Sequence, residues 1–163
     1  DRVDYANGYT VSMPAHIELI LTAPYDPGLL TPSENWLKFL LTHELTHAIV
    51  QSKSRGNCPR WLHEGLAQLA EPRTLRRADL AALRRSVRAD DAATWPDQAF
   101  SYPAALSFTG FLGDRRGFDL LVALLGRLGD GENQDAALPA VYGATYAELV
   151  AAWAEGLHEA PGP

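Results

Sequence analysis

The chain is 163 residues long, with 47% hydrophobic residues, 21% charged residues and a formal net charge of −6. This composition excludes disorder and a collagen-like fibre, and no apolar run approaches the roughly 18 to 20 residues of a membrane-spanning helix. Nucleic acid is excluded as a partner because a phosphate backbone attracts positive charge, which this chain lacks in excess. We therefore expect a single soluble globular domain over residues 1–163.

The single cysteine, Cys58, excludes an intramolecular disulfide and a CxxC metal site. Any metal ligands must therefore be His, Asp or Glu. The sequence opens Asp1-Arg2-Val3-Asp4, without an initiator Met or a signal segment, which indicates an excised or processed piece. It does not indicate a cellular compartment.

The first predicted elements are strands. Residues 9–23 alternate apolar and polar side chains, with Ile17, Leu19 and Leu21 on one face. Residues 9–13 are the candidate hairpin partner, and the Pro- and Gly-containing segment 24–28 predicts a turn. The expected result is a small N-terminal β-sheet or hairpin.

Helices are predicted from residue 31 onward. Thr31-Pro32-Ser33-Glu34 is a capping box that opens a long helix to about Ser52. Apolar periodicity predicts further helices at about 60–71, 75–89, 103–113, 117–128 and 145–157. No repeat or linker divides the chain, so the predicted class is α+β: a mostly helical domain with a small N-terminal sheet.

The long helix contains the sequence His43-Glu44-Leu45-Thr46-His47. Residues four apart share one helical face, so the two imidazoles can bind one metal ion while Glu44 reaches a water beside it. Both histidines lie on the apolar stripe of the helix, where buried imidazoles need a hydrogen-bond partner or a metal. The alternative is a pair of core histidines that donate to carbonyl groups.

A tetrahedral catalytic zinc site needs a third protein ligand. The segment Trp61-Leu62-His63-Glu64-Gly65-Leu66-Ala67 predicts a short helix with Glu64 on a different face from its leucines. The intervening reversal over residues 53–63 allows this helix to fold back antiparallel to the first and to bring a carboxylate to the histidine pair.

These two motifs, HELTH and WLHEGLA, resemble the gluzincin branch of zinc metallopeptidases, in particular the peptidase MA-like group and more distantly the aminopeptidase N-like enzymes. The resemblance implies a zincin-like fold with Zn²⁺ bound by His43, His47 and Glu64, and with Glu44 as general base. It covers about residues 32–71 strongly and 100–157 weakly. The G-x-M-E-N motif that binds a free amine is missing, so the resemblance does not extend to aminopeptidase specificity.

Five further residues are candidates for the same site. Tyr102 begins an apolar helix after the Glu ligand, where the resemblance implies a catalytic tyrosine; Tyr25 and Tyr142 are alternatives. His63 is an alternative ligand or oxyanion contact, although adjacent helical residues diverge by about 100°. Glu71 lies on the Glu64 face two turns away, where a solvated carboxylate is favoured over a partner for a ligand histidine.

The expected function is hydrolysis of a peptide bond in a peptide or protein substrate by zinc-activated water. Two alternatives remain: an inactive or latent module of this fold that binds a partner, and a zinc hydrolase of non-peptide substrates. The pair His158-Glu159 lacks the downstream histidine of an HExxH motif, and this tail is expected to fray, as terminal segments do.

Overall fold

The computed structural model describes residues 8–13, 16–21, 34–71, 75–87 and 101–159. Two antiparallel strands, β1 (Gly8–Met13) and β2 (His16–Leu21), pair with Gly8 opposite Leu21 and Met13 opposite His16. Seven helices follow within these ranges: α1 (Glu34–Ser54), α2 (Arg60–Ala70), α3 (Arg77–Ser86), α4 (Tyr102–Arg116), α5 (Phe118–Gly129), α6 (Gln134–Tyr142) and α7 (Tyr146–Glu159).

The predicted α+β class is wrong, because the described fold is helical. The buried hydrophobic residues come from the helices and the residue after α3, and the helices pack on one another. Among the described residues the β-structure amounts to one two-stranded hairpin beside α1. Two strands do not form a layer on which helices can pack, so this hairpin does not set the class of the fold.

The helix predictions are confirmed for α1 to α5 and α7, with small shifts at their ends. The capping box at 31–33 and the turn at 24–28 lie outside the described residues. Helix α6 was not predicted, because Pro139 falls inside it and removes a backbone donor. Its end signals were present in the sequence: Asn133 accepts from the amide of Ala136 at 3.0 Å, and Gly143 follows in the left-handed conformation.

Helix α2 packs between α1 and α4. Its residues Trp61, Leu62 and Ala67 are buried, and the Trp61 ring lies 4.9 Å from the ring of Phe108 in α4. Phe108 also contacts Trp153 of α7 at 5.4 Å between ring centroids. This aromatic cluster anchors α2 in the core and thereby fixes the position of Glu64.

A tight reversal returns the chain from α1 to α2. Arg55 and Gly56 both have positive φ, at 51° and 82°, which turns the chain sharply after α1. The Asn57 side chain then donates to the carbonyl oxygens of Leu128 and Glu132, at 2.9 and 2.8 Å. These bonds tie the reversal to the end of α5, so the direction in which α2 leaves it is set by a tertiary contact.

Helices α2 and α4 approach closely at Gly65. A Cβ atom at this position would lie 2.6 Å from the backbone oxygen of Ala105 and would also collide with the Thr109 hydroxyl. Only glycine allows this approach, which places the first turns of α2 against α4.

The prediction that residues 158–159 fray is wrong. Helix α7 continues to Glu159, and the His158 Nε2 lies 3.1 Å from the Val87 carbonyl oxygen at the end of α3. Arg84 of α3 donates to the Leu157 carbonyl oxygen at 2.7 Å. These two contacts therefore join the C-terminal ends of α3 and α7.

None of the helices in the described ranges is both long enough and apolar enough to cross a lipid bilayer.

Candidate metal centre

Three potential ligand atoms converge between α1 and α2. The Nε2 atoms of His43 and His47 lie 3.0 Å apart, and each lies 3.6 Å from Oε2 of Glu64. The histidines share one face of α1 through their four-residue spacing, and α2 brings the carboxylate to them. The structure thus brings together the three residues that the two sequence motifs nominate as ligands.

These separations fit a metal ion. Tetrahedral bonds of about 2.0 to 2.2 Å place ligand atoms about 3.3 to 3.6 Å apart. The two distances of 3.6 Å to Glu64 match that separation, and the 3.0 Å between the two histidine nitrogens is slightly shorter. The Glu64 Oε2 atom is buried and has no hydrogen-bond partner among the described residues, although a buried carboxylate oxygen requires one. Two imidazoles and a carboxylate are also a typical donor set for zinc.

Glu71 holds the ring of His43 from its other side. Its Oε1 atom lies 2.6 Å from His43 Nδ1, and its side chain is 3% exposed. The sequence favoured a solvated carboxylate here, and that expectation is wrong because the end of α2 packs against α1. Since Nδ1 faces the carboxylate, Nε2 is left to face His47 and Glu64.

The two histidines have opposite charge preferences in the metal-free chain. Burial lowers the pKa of His43, but the carboxylates of Glu64 and Glu71 outweigh burial and raise it to about 9. Burial and the positive charge of His43 lower the pKa of His47 to about 4. At neutral pH one imidazole is therefore protonated and the other neutral, so His43 can donate from Nε2 to His47.

Glu64 is ionised in this arrangement. Burial acts to raise its pKa, but His43 and His47 together hold it below the usual value. In the metal-free chain the anionic carboxylate of Glu64 is therefore paired with one imidazolium. A divalent cation can take over the positive charge of that imidazolium.

His63 lies at the edge of the centre without joining the ligand set. Its ring stacks on that of His47, with centroids 4.5 Å apart and an interplanar angle of 13°. Its Nε2 atom is buried and has no hydrogen-bond partner among the described residues. Burial lowers the pKa of His63 and favours the neutral ring.

Glu44 directly follows His43 on α1 and is 5% exposed. One residue along a helix is a rotation of about 100°, so its carboxylate projects beside the His43–His47 face rather than from it. This placement suits a base next to the ligands more than a fourth ligand.

Tyr102 is the first residue of α4 and is half exposed. Its backbone oxygen accepts from Gln68 Nε2 at 3.0 Å, and the same nitrogen donates to the Glu64 carbonyl oxygen at 3.1 Å. Gln68 thus ties the start of α4 to the turn of α2 that carries Glu64. The role of the Tyr102 hydroxyl stays a prediction.

The alternatives to Tyr102 were Tyr142 and Tyr25. Tyr142 belongs to the core of α6, where burial raises its pKa to about 12. Tyr25 lies outside the described residues. The bridge that Gln68 makes between two helices was not predicted, because no pattern in the sequence marks it.

No curated protein and no solved structure gives a match to this chain. A profile of the Peptidase MA superfamily matches residues 27–159, which include α1 to α7 and every residue of the metal centre. With its histidine pair and carboxylate held between the first two helices, the chain belongs to the Peptidase MA superfamily.

Proposed function

We propose that the protein is a zinc-dependent peptidase in which His43, His47 and Glu64 bind the metal. The observation that carries the proposal is the convergence of their three ligand atoms within 4.8 Å of one another, at half-buried positions on two helices. The matching family profile supports a peptidase-like hydrolase. Zinc is favoured by the donor set of two imidazoles and a carboxylate.

The protein supplies orientation and proton transfer. Glu71 holds the ring of His43 so that Nε2 faces the ligand set. Glu44 takes a proton from the attacking water and later gives it to the leaving amine. A bound zinc ion supplies Lewis acidity for the scissile carbonyl group and a lower pKa for a nearby water.

The substrate oxygen gains negative charge as water adds, which requires a hydrogen-bond donor. Tyr102 is the candidate, because Gln68 fixes the start of α4 beside the Glu64 turn. A tyrosine hydroxyl there donates to the oxyanion without changing its own charge.

The decisive experiment compares metal content and peptidase activity in two variants. Wild type should hold about one zinc per chain and should cleave a peptide library in a chelator-sensitive manner. Glu44→Gln should keep zinc and lose turnover, since an amide keeps the shape of the carboxylate but takes no proton. Glu64→Ala should lose zinc, because it removes a ligand.

A wild-type chain without metal, purified without chelator or acid, would overturn the proposal. Release of zinc by Glu44→Gln but not by Glu64→Ala would reverse the two roles. Zinc bound at full occupancy without any cleavage would instead point to a partner-binding module or to a non-peptide substrate.

A further inference from the structure

The rings of the two ligand histidines are held by different contacts. His43 Nδ1 is hydrogen-bonded to Glu71 at 2.6 Å. His47 Nδ1 is buried and has no hydrogen-bond partner in the part of the chain that the structure describes. A ligand histidine normally donates its second N–H to a carboxylate, carbonyl or water, which fixes the ring. Among the described residues, no hydrogen bond fixes the ring of His47 in this way.

The group in contact with the His47 ring is His63. Its ring lies nearly parallel to that of His47, at 4.5 Å between centroids and 13° between planes. The next residue on α2 is Glu64, so one turn of this helix supplies both a ligand and the ring that packs on another ligand. Helix α2 is itself held against α4 by the close approach at Gly65.

The same geometry argues against His63 as a ligand. The lone pair of an imidazole nitrogen lies in the plane of its ring. The plane of His63 is displaced from that of His47 and nearly parallel to it, so an ion in the plane of His47 lies outside the plane of His63. The stacked ring therefore shapes the site without adding a fourth donor.

We propose that His63 is a positioning residue that holds the ring of His47 by stacking, in place of an outer hydrogen bond that none of the described residues gives to His47. The face of an aromatic ring is negative and its edge positive, so a neutral ring stacks favourably on an imidazole that is polarised by a cation. The proposal rests on the proposed zinc site. It predicts that zinc affinity depends on a flat ring at position 63 and does not depend on the nitrogens of that ring.

The test is the zinc affinity of the metal-free full chain, measured by competition with a chromophoric chelator. His63→Phe keeps a flat ring and should bind zinc within about threefold of wild type, whereas His63→Ala should bind about 10-fold to 100-fold more weakly, the usual cost of losing an outer-shell support. His158→Ala is the matched control, because it removes an imidazole that contacts Val87 and is not among the three candidate ligands. Its zinc affinity should equal that of wild type.

Cobalt substitution provides a second measurement, which would not change if His63 contributed only to the stability of the fold. The visible absorption of bound Co²⁺ reports the ligand geometry, so His63→Phe should keep the wild-type spectrum and His63→Ala should alter it. The melting temperature of each metal-free variant separates folding from metal binding. If His63→Ala melts early, His63→Gln replaces it as a variant that keeps polarity without a ring.

Two results would overturn the inference. One is wild-type zinc affinity in His63→Ala, and the other is a loss in His63→Phe as large as that in His63→Ala, which would assign the role to a ring nitrogen. Neither result would contradict the proposed zinc site itself. Absence of zinc binding by the wild-type chain would instead overturn the proposed function.

Discussion

The carboxylate of Glu71 shows how one side chain decides the chemistry of another. Glu71 lies 2.6 Å from His43 Nδ1 and is almost fully buried, so the His43 ring has a fixed orientation and a fixed tautomer once a metal is bound. His47 lacks such a partner among the described residues and packs on His63 instead. The two histidines should therefore respond differently to substitution of their neighbours.

Replacement of Glu71 should weaken metal binding. We expect Glu71→Ala to lower zinc affinity by about 10-fold to 100-fold, because the His43 ring loses both its orientation and its basicity. Glu71→Gln should lie between alanine and wild type, since an amide oxygen accepts the same hydrogen bond without the charge. Chelator competition measures both variants, and wild-type affinity in Glu71→Ala would contradict the expectation.

Tyr102 is tested by removal of its hydroxyl. Tyr102→Phe should leave zinc content and melting temperature near those of wild type, because the side chain is half exposed. It should lower kcat by about 100-fold to 1000-fold, the usual cost of one oxyanion donor. Unchanged turnover on the peptide that wild type cleaves best would remove Tyr102 from the mechanism.

Among the elements, α2 completes the centre that the histidine pair of α1 begins. Glu64, His63 and Glu71 come from this helix and the residue after it, and each contacts a histidine of α1. The position of α2 depends on its close packing against α4. A change at that contact should therefore affect stability and metal binding together.

Gly65→Ala tests this dependence. The added methyl group would collide with Ala105 O and the Thr109 hydroxyl, so α2 must move away from α4 at a cost of about 1 to 3 kcal/mol in the free energy of unfolding. Zinc affinity should fall as well, because Glu64 is the neighbouring residue. Chemical denaturation of the metal-free chain measures the stability.

The matched control is Gly126→Ala in α5. A Cβ atom there meets nothing within 4 Å, so alanine should stabilise the helix by about 0.5 to 1 kcal/mol. Equal effects of the two substitutions would show that close packing at Gly65 is unimportant.

For the whole molecule, the titration of the centre links pH to stability in the metal-free state. The folded pKa of His43, about 9, lies above the ordinary value of 6.5, so the folded chain binds this proton more tightly than the unfolded chain. Its stabilising effect is complete below about pH 6.5 and is lost as pH rises to about 9. His47, with a pKa of about 4, makes stability fall as pH drops from about 6.5 to 4.

The metal-free protein should therefore have its highest melting temperature near pH 6.5. His43→Gln should flatten the fall between pH 6.5 and 9, because it removes the group that loses its proton there. Thermal melts in a series of buffers at constant ionic strength test this expectation. If the fall in melting temperature on the alkaline side is unchanged in His43→Gln, a group other than His43 causes it.

Much of the centre was predictable because it depends on local periodicity. In α1, the four-residue spacing of His43 and His47 places both imidazoles on one face in any helix, whatever surrounds it. The nomination of Glu64 came from the second motif and its likeness to a family. The hydrogen bond of Glu71 and the stack of His63 were not predictable, since spacing along α2 indicates a face but not what packs against it.

The class of the fold was mispredicted for a related reason. Alternation over residues 9–23 indicates extended chain, but it does not say whether further strands join to make a layer. In α6, Pro139 masked a helix that Asn133 and Gly143 delimit. Local propensity is a weak guide where one unfavourable residue lies inside a helix whose two ends carry favourable capping residues.

The helical register of the histidine pair and the residue types that can bind a metal follow from covalent order and helix geometry, so both could be predicted from the sequence. The sequence allowed α2 to fold back beside α1, but contacts between distant segments set where it lies. Asn57 fixes the reversal through bonds to residues more than 70 positions away, and Gly65 fixes the distance to α4. These contacts join segments remote in the chain, so no periodicity in the sequence contains them.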